Sequence, residues 1–231
     1  METHISWIEL SLLVLEGLLL IFTVVLLLLS IKEGRGRDSL IMEVTKATRT
    51  LTQHEYFVTI MDTMVDAERE VFGVITGRMP KGDERKRTKE IAVNIEKLSQ
   101  SGVKVTYVMP RFQDRLHVGW LYSKAGAEIY YSSCAHVHDL RYMVVDGNVS
   151  LLGVPESVGE KEATKKGYRI PSEGLGFIMR NSFMGCLNDS VSYEAFVRET
   201  IKQTGAPFRT LARELNIPEE ELERVNSSPD V

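Results

Sequence analysis

The sequence predicts an α/β domain, with a mixed β-sheet flanked by helices, behind an N-terminal transmembrane helix. Two observations predict this class. Between residues 69 and 205, segments rich in β-branched and aromatic residues alternate with segments whose apolar residues recur at helical spacing. Ahead of them, residues 10–31 are almost wholly apolar. The predicted organisation is an anchor and linker over 1–38, the α/β domain over 39–205, and a short helix with a polar tail over 206–231.

The apolar run LSLLVLEGLLLIFTVVLLLLSI (10–31) is about 20 residues long, which is enough for a helix to cross a bilayer. A buried core helix is excluded because the run is too long and is apolar on every face. Trp7 stands at one edge, where an indole suits the membrane interface. Glu16, inside the run, either contacts another anchor helix or lies protonated or snorkelling near an interface, and the sequence leaves both open.

Flanking charge predicts the orientation of this helix. Lys32, Arg35 and Arg37 follow the apolar run directly, whereas the segment before it carries no Lys or Arg. The positive-inside rule therefore places the C-terminal domain in the cytoplasm. We therefore predict a single-pass membrane protein, with the lipid bilayer as one of its partners.

The remaining elements follow from local patterns. Apolar residues at helical spacing predict one or two helices between 40 and 66. The Asp-Gly pair at 146–147 predicts the turn of a β-hairpin over 140–154. We further predict strands at 69–77, 103–110 and 175–180, helices at 83–102 and 190–205, a helix followed by a strand within 117–132, and a polar loop before 175.

The composition limits the function classes. A chain of 231 residues with 43% hydrophobic residues is large enough to bury a core. The net charge of −4 argues against a protein that mainly coats nucleic acid. The two cysteines, Cys134 and Cys186, lie far apart and form no CxxC pair, so they predict neither a disulfide framework nor a zinc site. We predict no metal and no cofactor.

Two segments raise the question of nucleic-acid binding. KGDERKRTK (81–89) is basic and would meet anionic lipid or nucleic acid, but Asp83 and Glu84 interrupt its charge and favour a solvated helix end. LARELNIP (211–218) resembles the opening of a helix-turn-helix, yet no recognition helix is predicted after it. Nucleic acid is therefore not a favoured partner.

The segment AHVHDLRYMVVDG (135–147) carries histidines, a basic residue, a short apolar strand and an Asp-Gly turn. With the element order around it and SGVKVTYVMP (101–110), it resembles one lobe of the phospholipase D superfamily over residues 45–204. The family motif is H-x-K-x4-D, followed by a short strand and a G-S-x-N turn. The resemblance implies that a His attacks phosphorus, a Lys neutralises phosphate oxygens and an Asp orients an imidazole. It also implies two lobes per active site, so a single-lobe chain would form a homodimer.

The motif fits this sequence only in part. Asp146 takes the Asp position, Arg141 takes the Lys position, and Asp139 stands where the His belongs. A carboxylate cannot form the phosphohistidine intermediate. In the turn that follows, Val154 and Glu156 replace the Ser and the Asn.

His138 stands one place away from the motif. If this segment is a strand, Asp139 and Arg141 share one face, while His136 and His138 lie on the other. Only a bulge between 138 and 141 would bring His138 to the face of Arg141.

The leading prediction is a membrane-anchored cytoplasmic domain, non-catalytic or weakly catalytic, that binds an anionic or phosphorylated ligand or serves as a scaffold. Its predicted ligand-binding residues are Asp139, Arg141, Asp146 and Glu156. The first alternative is a dimeric phosphodiesterase acting on phospholipid or nucleic acid, with His138, Arg141 and Asp146 as catalytic residues. The second alternative is an accessory subunit of a membrane complex.

Overall fold

The computed structural model describes residues 15–26, 48–80, 82, 84–155 and 164–228. The chain divides into two compact units, Met1–Lys46 and Ala47–Val231. In the first unit, residues 15–26 form helix α1. The elements of the second unit, in chain order, are β1 (Arg49–Thr52), α2 (Gln53–Val65), β2 (Glu70–Val74), α3 (Glu84–Gln100), β3 (Lys104–Pro110), a 3₁₀ turn (Gln113–Arg115), α4 (Leu116–Lys124), β4 (Glu128–Ser132), α5 (Ala135–Asp139), β5 (Arg141–Val145), β6 (Val149–Pro155), β7 (Thr164–Pro171), α6 (Glu173–Asn188), β8 (Ser190–Ser192), α7 (Tyr193–Thr204), α8 (Phe208–Leu215) and α9 (Glu219–Ser227).

Helix α1 exposes its apolar side chains. Leu18 is 60% exposed and Phe22 is 62% exposed. Glu16 lies in the same helix and is also exposed. Among the helices of the described residues, none combines the length and the apolar character needed to cross a membrane.

The other predicted anchor residues cannot be compared with the structure. Trp7, Lys32, Arg35 and Arg37 lie outside the described residues, as do both ends of the apolar run 10–31. The transmembrane helix and its orientation therefore stay predictions.

The second unit is built on one eight-stranded sheet in the order β1-β7-β6-β5-β2-β3-β4-β8. Strands β2, β3 and β4 run parallel, and α3 and α4 make the two crossovers between them. On the other side of β2, strands β5, β6, β7 and β1 pair antiparallel. A mixed sheet flanked by helices is the fold class that the sequence predicts, and it is confirmed.

Side chains alternate between the two faces of this sheet. Val71 and Met143 belong to a core that α2, α3, α4, α7, α8 and α9 cover. Phe72 and Val144, their chain neighbours, belong to a smaller core that α5 and α6 cover. The larger core holds the cavity described below.

Residues 135–139 form the short helix α5, so the extended strand on which the face alternation depended is not formed there. Val137 is its buried residue and packs into the smaller core. Leu140 returns to an extended conformation, and β5 begins only at Arg141. The predicted face alternation of His136, His138 and Asp139 fails because it assumed an extended backbone.

The segment LGFIMR (175–180) is helical, so its assignment as a strand is also wrong. The Ser172 hydroxyl accepts the Leu175 N–H at 3.2 Å and begins α6. Gly176, Phe183 and Cys186 are buried at helical spacing along this helix. Strand β7 occupies part of the region predicted as a polar loop.

The ends of the domain also differ from prediction. Strand β1 replaces helix between 49 and 52, and Thr52 then begins α2 through a capping box with Glu55. After α8, Asn216 turns the chain at φ 53°, and a second helix, α9, follows where a polar tail was predicted. This helix opens with three glutamates, which suit a helix N-terminus and repel a phosphate backbone.

Candidate functional site

Arg141 occupies the first position of β5 and is the predicted site residue that lies at a cavity. Met143, two residues along the strand, belongs to the larger core, so Arg141 points to the same face. Arg141 is 9% exposed. It lines a cavity of 170 Å³ between the sheet and helices α2, α3 and α4.

The charged groups of the cavity are mainly positive. Among the described residues, its lining contains three guanidinium groups, Arg78, Arg87 and Arg141, and one carboxylate, Glu84. Arg78 Nη2 donates to the two carboxylate oxygens of Glu84 at 3.0 and 3.3 Å. The Arg87 guanidinium carbon lies 5.0 Å from the centre of the Phe57 ring. An excess of planar cationic donors favours an anionic ligand.

Tyrosines supply the neutral polar groups of the cavity. Burial raises the pKa of Tyr56, Tyr107 and Tyr122. At Tyr56 the Arg141 guanidinium opposes this increase, because a nearby positive charge favours the phenolate. The three hydroxyls stay protonated at physiological pH, so they are suited to donate hydrogen bonds and not to act as nucleophiles.

Two glycines let the cavity walls come together. Gly167 of β7 faces the Tyr56 ring, and a Cβ at this position would collide with that ring. Gly77, in the loop after β2, has φ 60°, and a Cβ there would collide with the Met109 sulfur. The tyrosine wall therefore depends on a strand that lies far from it in sequence.

Asp146 does not line the cavity. It lies at the opposite end of β5 from Arg141, about 16 Å away at the usual rise of a strand. Its carboxylate accepts the backbone N–H groups of Glu68, Arg69 and Glu70 at 2.9, 2.8 and 3.0 Å. Asp146 therefore ties the hairpin turn to the start of β2, and the structure does not bring it to Arg141.

The Asp-Gly turn itself is confirmed. Asp146 and Gly147 have φ 51° and 76°, and the Asn148 N–H donates to the Val145 carbonyl at 3.1 Å. Two consecutive positive φ values are typical of the tight turns that join antiparallel strands. The carboxylate and the turn together make Asp146 a structural residue.

His138 and Asp139 are exposed on α5 and are not among the residues that line the cavity. The His138 ring centre lies 5.4 Å from that of Phe112, which follows β3. Of the residues after the motif, Val154 is 45% exposed on β6. Glu156 lies outside the described residues. Of the predicted ligand residues that the structure describes, Arg141 is the one that lines this cavity.

The sequence analysis assigned several cavity residues to no site, although Arg87 lies in the basic segment 81–89. Tyr56, Arg78 and Arg87 come from α2, the loop after β2 and α3, which are separate elements. The periodicity of α2 and α3 indicates which faces are apolar, but it does not indicate that these faces meet over the start of β5. Within the described part of the chain, no group of three His, Cys, Asp or Glu side chains could hold a metal ion.

Comparisons with known proteins gave a match only among solved structures. No protein-family model matches the chain, and no curated protein matches it. Nuc from Salmonella typhimurium, described as a phospholipase D family member, is similar at 10% identity and a TM-score of 0.49, over 63% of this chain and 95% of Nuc. NucT from Helicobacter pylori is similar at 12% identity and a TM-score of 0.48, over 63% of this chain and 98% of NucT.

TrmBL2, an archaeal chromatin protein, is similar at 16% identity and a TM-score of 0.45, over 77% of this chain and 69% of TrmBL2. Identities and TM-scores this low carry no argument about activity. The chemistry of the cavity therefore has to be judged from its own residues.

Proposed function

We propose that this protein is a membrane-anchored domain that binds a small anionic or phosphorylated ligand and does not cleave phosphodiesters efficiently. The observation that carries the proposal is the cavity in which Arg141, at the motif's lysine position, lies with Arg78 and Arg87. Among the described residues, no histidine lines this cavity. Within the described part of the chain, the cavity therefore has the cationic residue with which the motif binds phosphate, but not the histidine with which it attacks phosphorus.

The physical chemistry of the cavity favours binding. Electrostatic attraction between a guanidinium and a phosphate or carboxylate is stronger away from bulk water, and a planar guanidinium can donate two hydrogen bonds to one anion. The hydroxyls of Tyr56, Tyr107 and Tyr122 add neutral donors, and their rings add apolar surface. The ligand class is therefore an anion with an apolar or aromatic body.

The size of the cavity limits that body. An apolar cavity of about 150 Å³ holds a benzene molecule, and this one measures 170 Å³. A ring-sized group fits inside this space with its phosphate at the cavity opening, whereas a phospholipid or a nucleic-acid strand does not fit inside.

The phosphodiesterase alternative lacks support at the cavity that contains Arg141. Asp139 stands at the nucleophile position of the motif and is exposed on α5. His138 lies beside Phe112, outside the cavity lining. The three cavity tyrosines are neutral because burial raises the pKa of each. Among the residues that the structure describes, no group at this cavity is therefore poised to attack phosphorus.

The binding experiment is a calorimetric titration of phenyl phosphate into the full-length protein in detergent. Replacing Arg141 with Met removes the charge while keeping a long side chain, and we expect affinity to fall about 10- to 100-fold, since a hydrogen bond to a charged group contributes about 1.5–3 kcal/mol. The control is Arg209→Met, which removes the same charge from an exposed position on α8. Equal affinity of the two variants would contradict the proposal.

Hydrolysis is measured in parallel on bis(p-nitrophenyl) phosphate, single-stranded DNA and phosphatidylcholine vesicles. We expect no turnover above that of the His138→Ala variant. Robust turnover that this variant loses would instead support the phosphodiesterase alternative.

The membrane anchor is part of the proposal. Its support is the apolar run 10–31, the cluster Lys32, Arg35 and Arg37 that follows it, and the exposed apolar side chains of α1. Within α1 the Thr23 hydroxyl donates to the Leu19 carbonyl at 2.8 Å, which suits a helix in apolar surroundings. On this basis the ligand-binding domain would lie at the cytoplasmic surface of a membrane.

A further inference from the structure

The two cysteines of the chain meet in the folded protein. Cys134 and Cys186 are 52 residues apart in sequence, and their Sγ atoms lie 2.8 Å apart. Both are free thiols. The sequence contains two cysteines in total, so the fold has brought its entire set of thiols to one place.

The surroundings hold both thiols in position. Cys134 is the residue from which α5 begins, and its N–H donates to the Ser132 hydroxyl at 3.1 Å. Cys186 belongs to the buried face of α6 and is 1% exposed. Tyr142, which follows Arg141 in β5, packs in the same core as Cys186. The pair therefore joins the start of α5 to α6, in the core that also contains Tyr142 of β5.

The two thiols differ in accessibility. Cys134 is half-buried and can be reached from solvent, whereas Cys186 is buried. Burial, together with the neighbouring Cys134, raises the pKa of the Cys186 thiol to about 12. An external oxidant therefore meets Cys134 first, and Cys186 keeps its proton until the second step.

We propose that Cys134 and Cys186 form a reversible redox modification site, which a small disulfide oxidant such as oxidised glutathione converts to an intramolecular disulfide. The inference does not depend on the proposed function, because it rests on the thiol pair alone. It would make the junction between α5 and β5 sensitive to the thiol–disulfide state of the compartment.

The reaction has two balanced steps. The Cys134 thiolate attacks one sulfur of oxidised glutathione, the glutathione disulfide bond breaks, and the first glutathione leaves with the proton that Cys134 has lost. Cys186 then loses its proton, its thiolate attacks the Cys134 sulfur, the mixed disulfide breaks, and the second glutathione leaves with that proton. Two electrons pass from the protein to the oxidant, which gives one protein disulfide and two reduced glutathione molecules.

The disulfide would fasten the start of α5 to α6. Because it closes a loop of about fifty residues, it restricts the unfolded chain, and we expect the midpoint of thermal unfolding to rise by about 5 °C or more. His138 and Asp139 lie on the helix that it fastens, and Arg141 follows after Leu140. Reduction would release this segment.

The test uses the folded full-length protein in detergent, treated with oxidised glutathione in a glutathione buffer. Free thiols are counted before and after treatment, and a non-reduced proteolytic digest is examined by mass spectrometry. We expect both thiols to disappear, a linked pair of peptides containing Cys134 and Cys186 to form, and reduction to restore both. Two persisting thiols, a stable glutathione adduct on Cys134, or a disulfide between two chains would overturn the proposal.

Single-cysteine variants supply the controls. In Cys186→Ala, Cys134 should stop at the mixed disulfide with glutathione, because the second thiol is missing. In Cys134→Ser, the buried Cys186 should stay unmodified. If a variant fails to fold, the digest of the wild-type protein still tests the proposal. An identical midpoint of thermal unfolding for the oxidised and the reduced protein would refute the claim that the disulfide fastens α5 to α6.

Discussion

The sequence motif expects its basic residue and its Asp at one site, but Arg141 and Asp146 lie at different places in the structure. Arg141 is buried at the cavity, and its positive charge opposes the increase that burial causes in the pKa of Tyr56. Asp146 binds three backbone N–H groups at the other end of β5. A basic residue and an acidic residue five positions apart on a strand lie at its two ends, so they serve different places in the molecule.

The structural role of Asp146 gives the first stability prediction. Replacing Asp146 with Asn keeps one acceptor oxygen, and Asn tolerates the positive φ of 51°. It places an NH₂ group against backbone donors, so we expect the free energy of unfolding to fall by about 1–3 kcal/mol. Urea unfolding of the full-length protein in detergent measures this change.

Two observations check this assignment. Asn148→Ala, at an exposed side chain of the same turn, should change the stability little. Affinity of Asp146→Asn for phenyl phosphate should equal that of the wild type, provided the variant is folded at the assay temperature. A normal stability with lost binding would show instead that Asp146 belongs to the ligand site.

At the scale of elements, the cavity depends on contact between α2 and β7. The Tyr56 ring lies against the backbone of Gly167, where no Cβ intervenes. We expect Gly167→Ala to displace this ring, to lower the free energy of unfolding by about 1–3 kcal/mol through overpacking, and to weaken ligand binding as well. Thermal unfolding and the phenyl phosphate titration measure the two effects.

The chain offers a matched control for this substitution. Gly185 lies within α6, and a Cβ built there has no neighbour within 4 Å. Gly185→Ala should therefore stabilise the protein by up to about 1 kcal/mol, because Ala favours a helix more than Gly does. If Gly167→Ala left the stability unchanged or raised it as Gly185→Ala does, the close packing of Tyr56 on Gly167 would be refuted.

Elements with a strong local signal could be predicted from the sequence. The hairpin over 141–155 follows from its Asp-Gly turn, and α3 follows from an apolar face repeated along seventeen residues. Helix α5 has five residues, and a segment this short does not display enough of the helical repeat to distinguish it from a strand. In α6 a window of six residues resembles a strand, and only its full sixteen residues display the helical face.

The candidate site could be predicted only where a motif marks it. Arg141 was identified because it stands at a motif position, and the structure places it at the cavity. Tyr56 carries no such mark, and Arg87 lies in the basic segment 81–89 that was interpreted as a solvated helix end, since the contribution of both depends on how α2 and α3 pack over the sheet. The approach of Cys134 to Cys186 depends in the same way on α5 and α6 sharing one core.

At the scale of the whole molecule, the prediction concerns membrane attachment. We expect the full-length protein to stay with membranes through alkaline carbonate washing. The double variant Leu20→Arg with Val24→Arg should be released, because each arginine at the centre of a spanning helix costs about 2.5–3.5 kcal/mol. Leu20→Ile with Val24→Leu is the control and should remain bound. Release of the wild-type protein would show that residues 10–31 do not anchor it.

The central claim, ligand binding at Arg141 without cleavage, is tested most directly by phosphorus NMR. Phenyl phosphate and diphenyl phosphate are added to the full-length protein, and one set of spectra reports both binding and hydrolysis. We expect the phenyl phosphate signal to shift with wild-type protein, to shift far less with Arg141→Met, and no product signal to arise from the diester. An equal shift with both proteins, or rapid cleavage of the diester that His138→Ala abolishes, would contradict the claim.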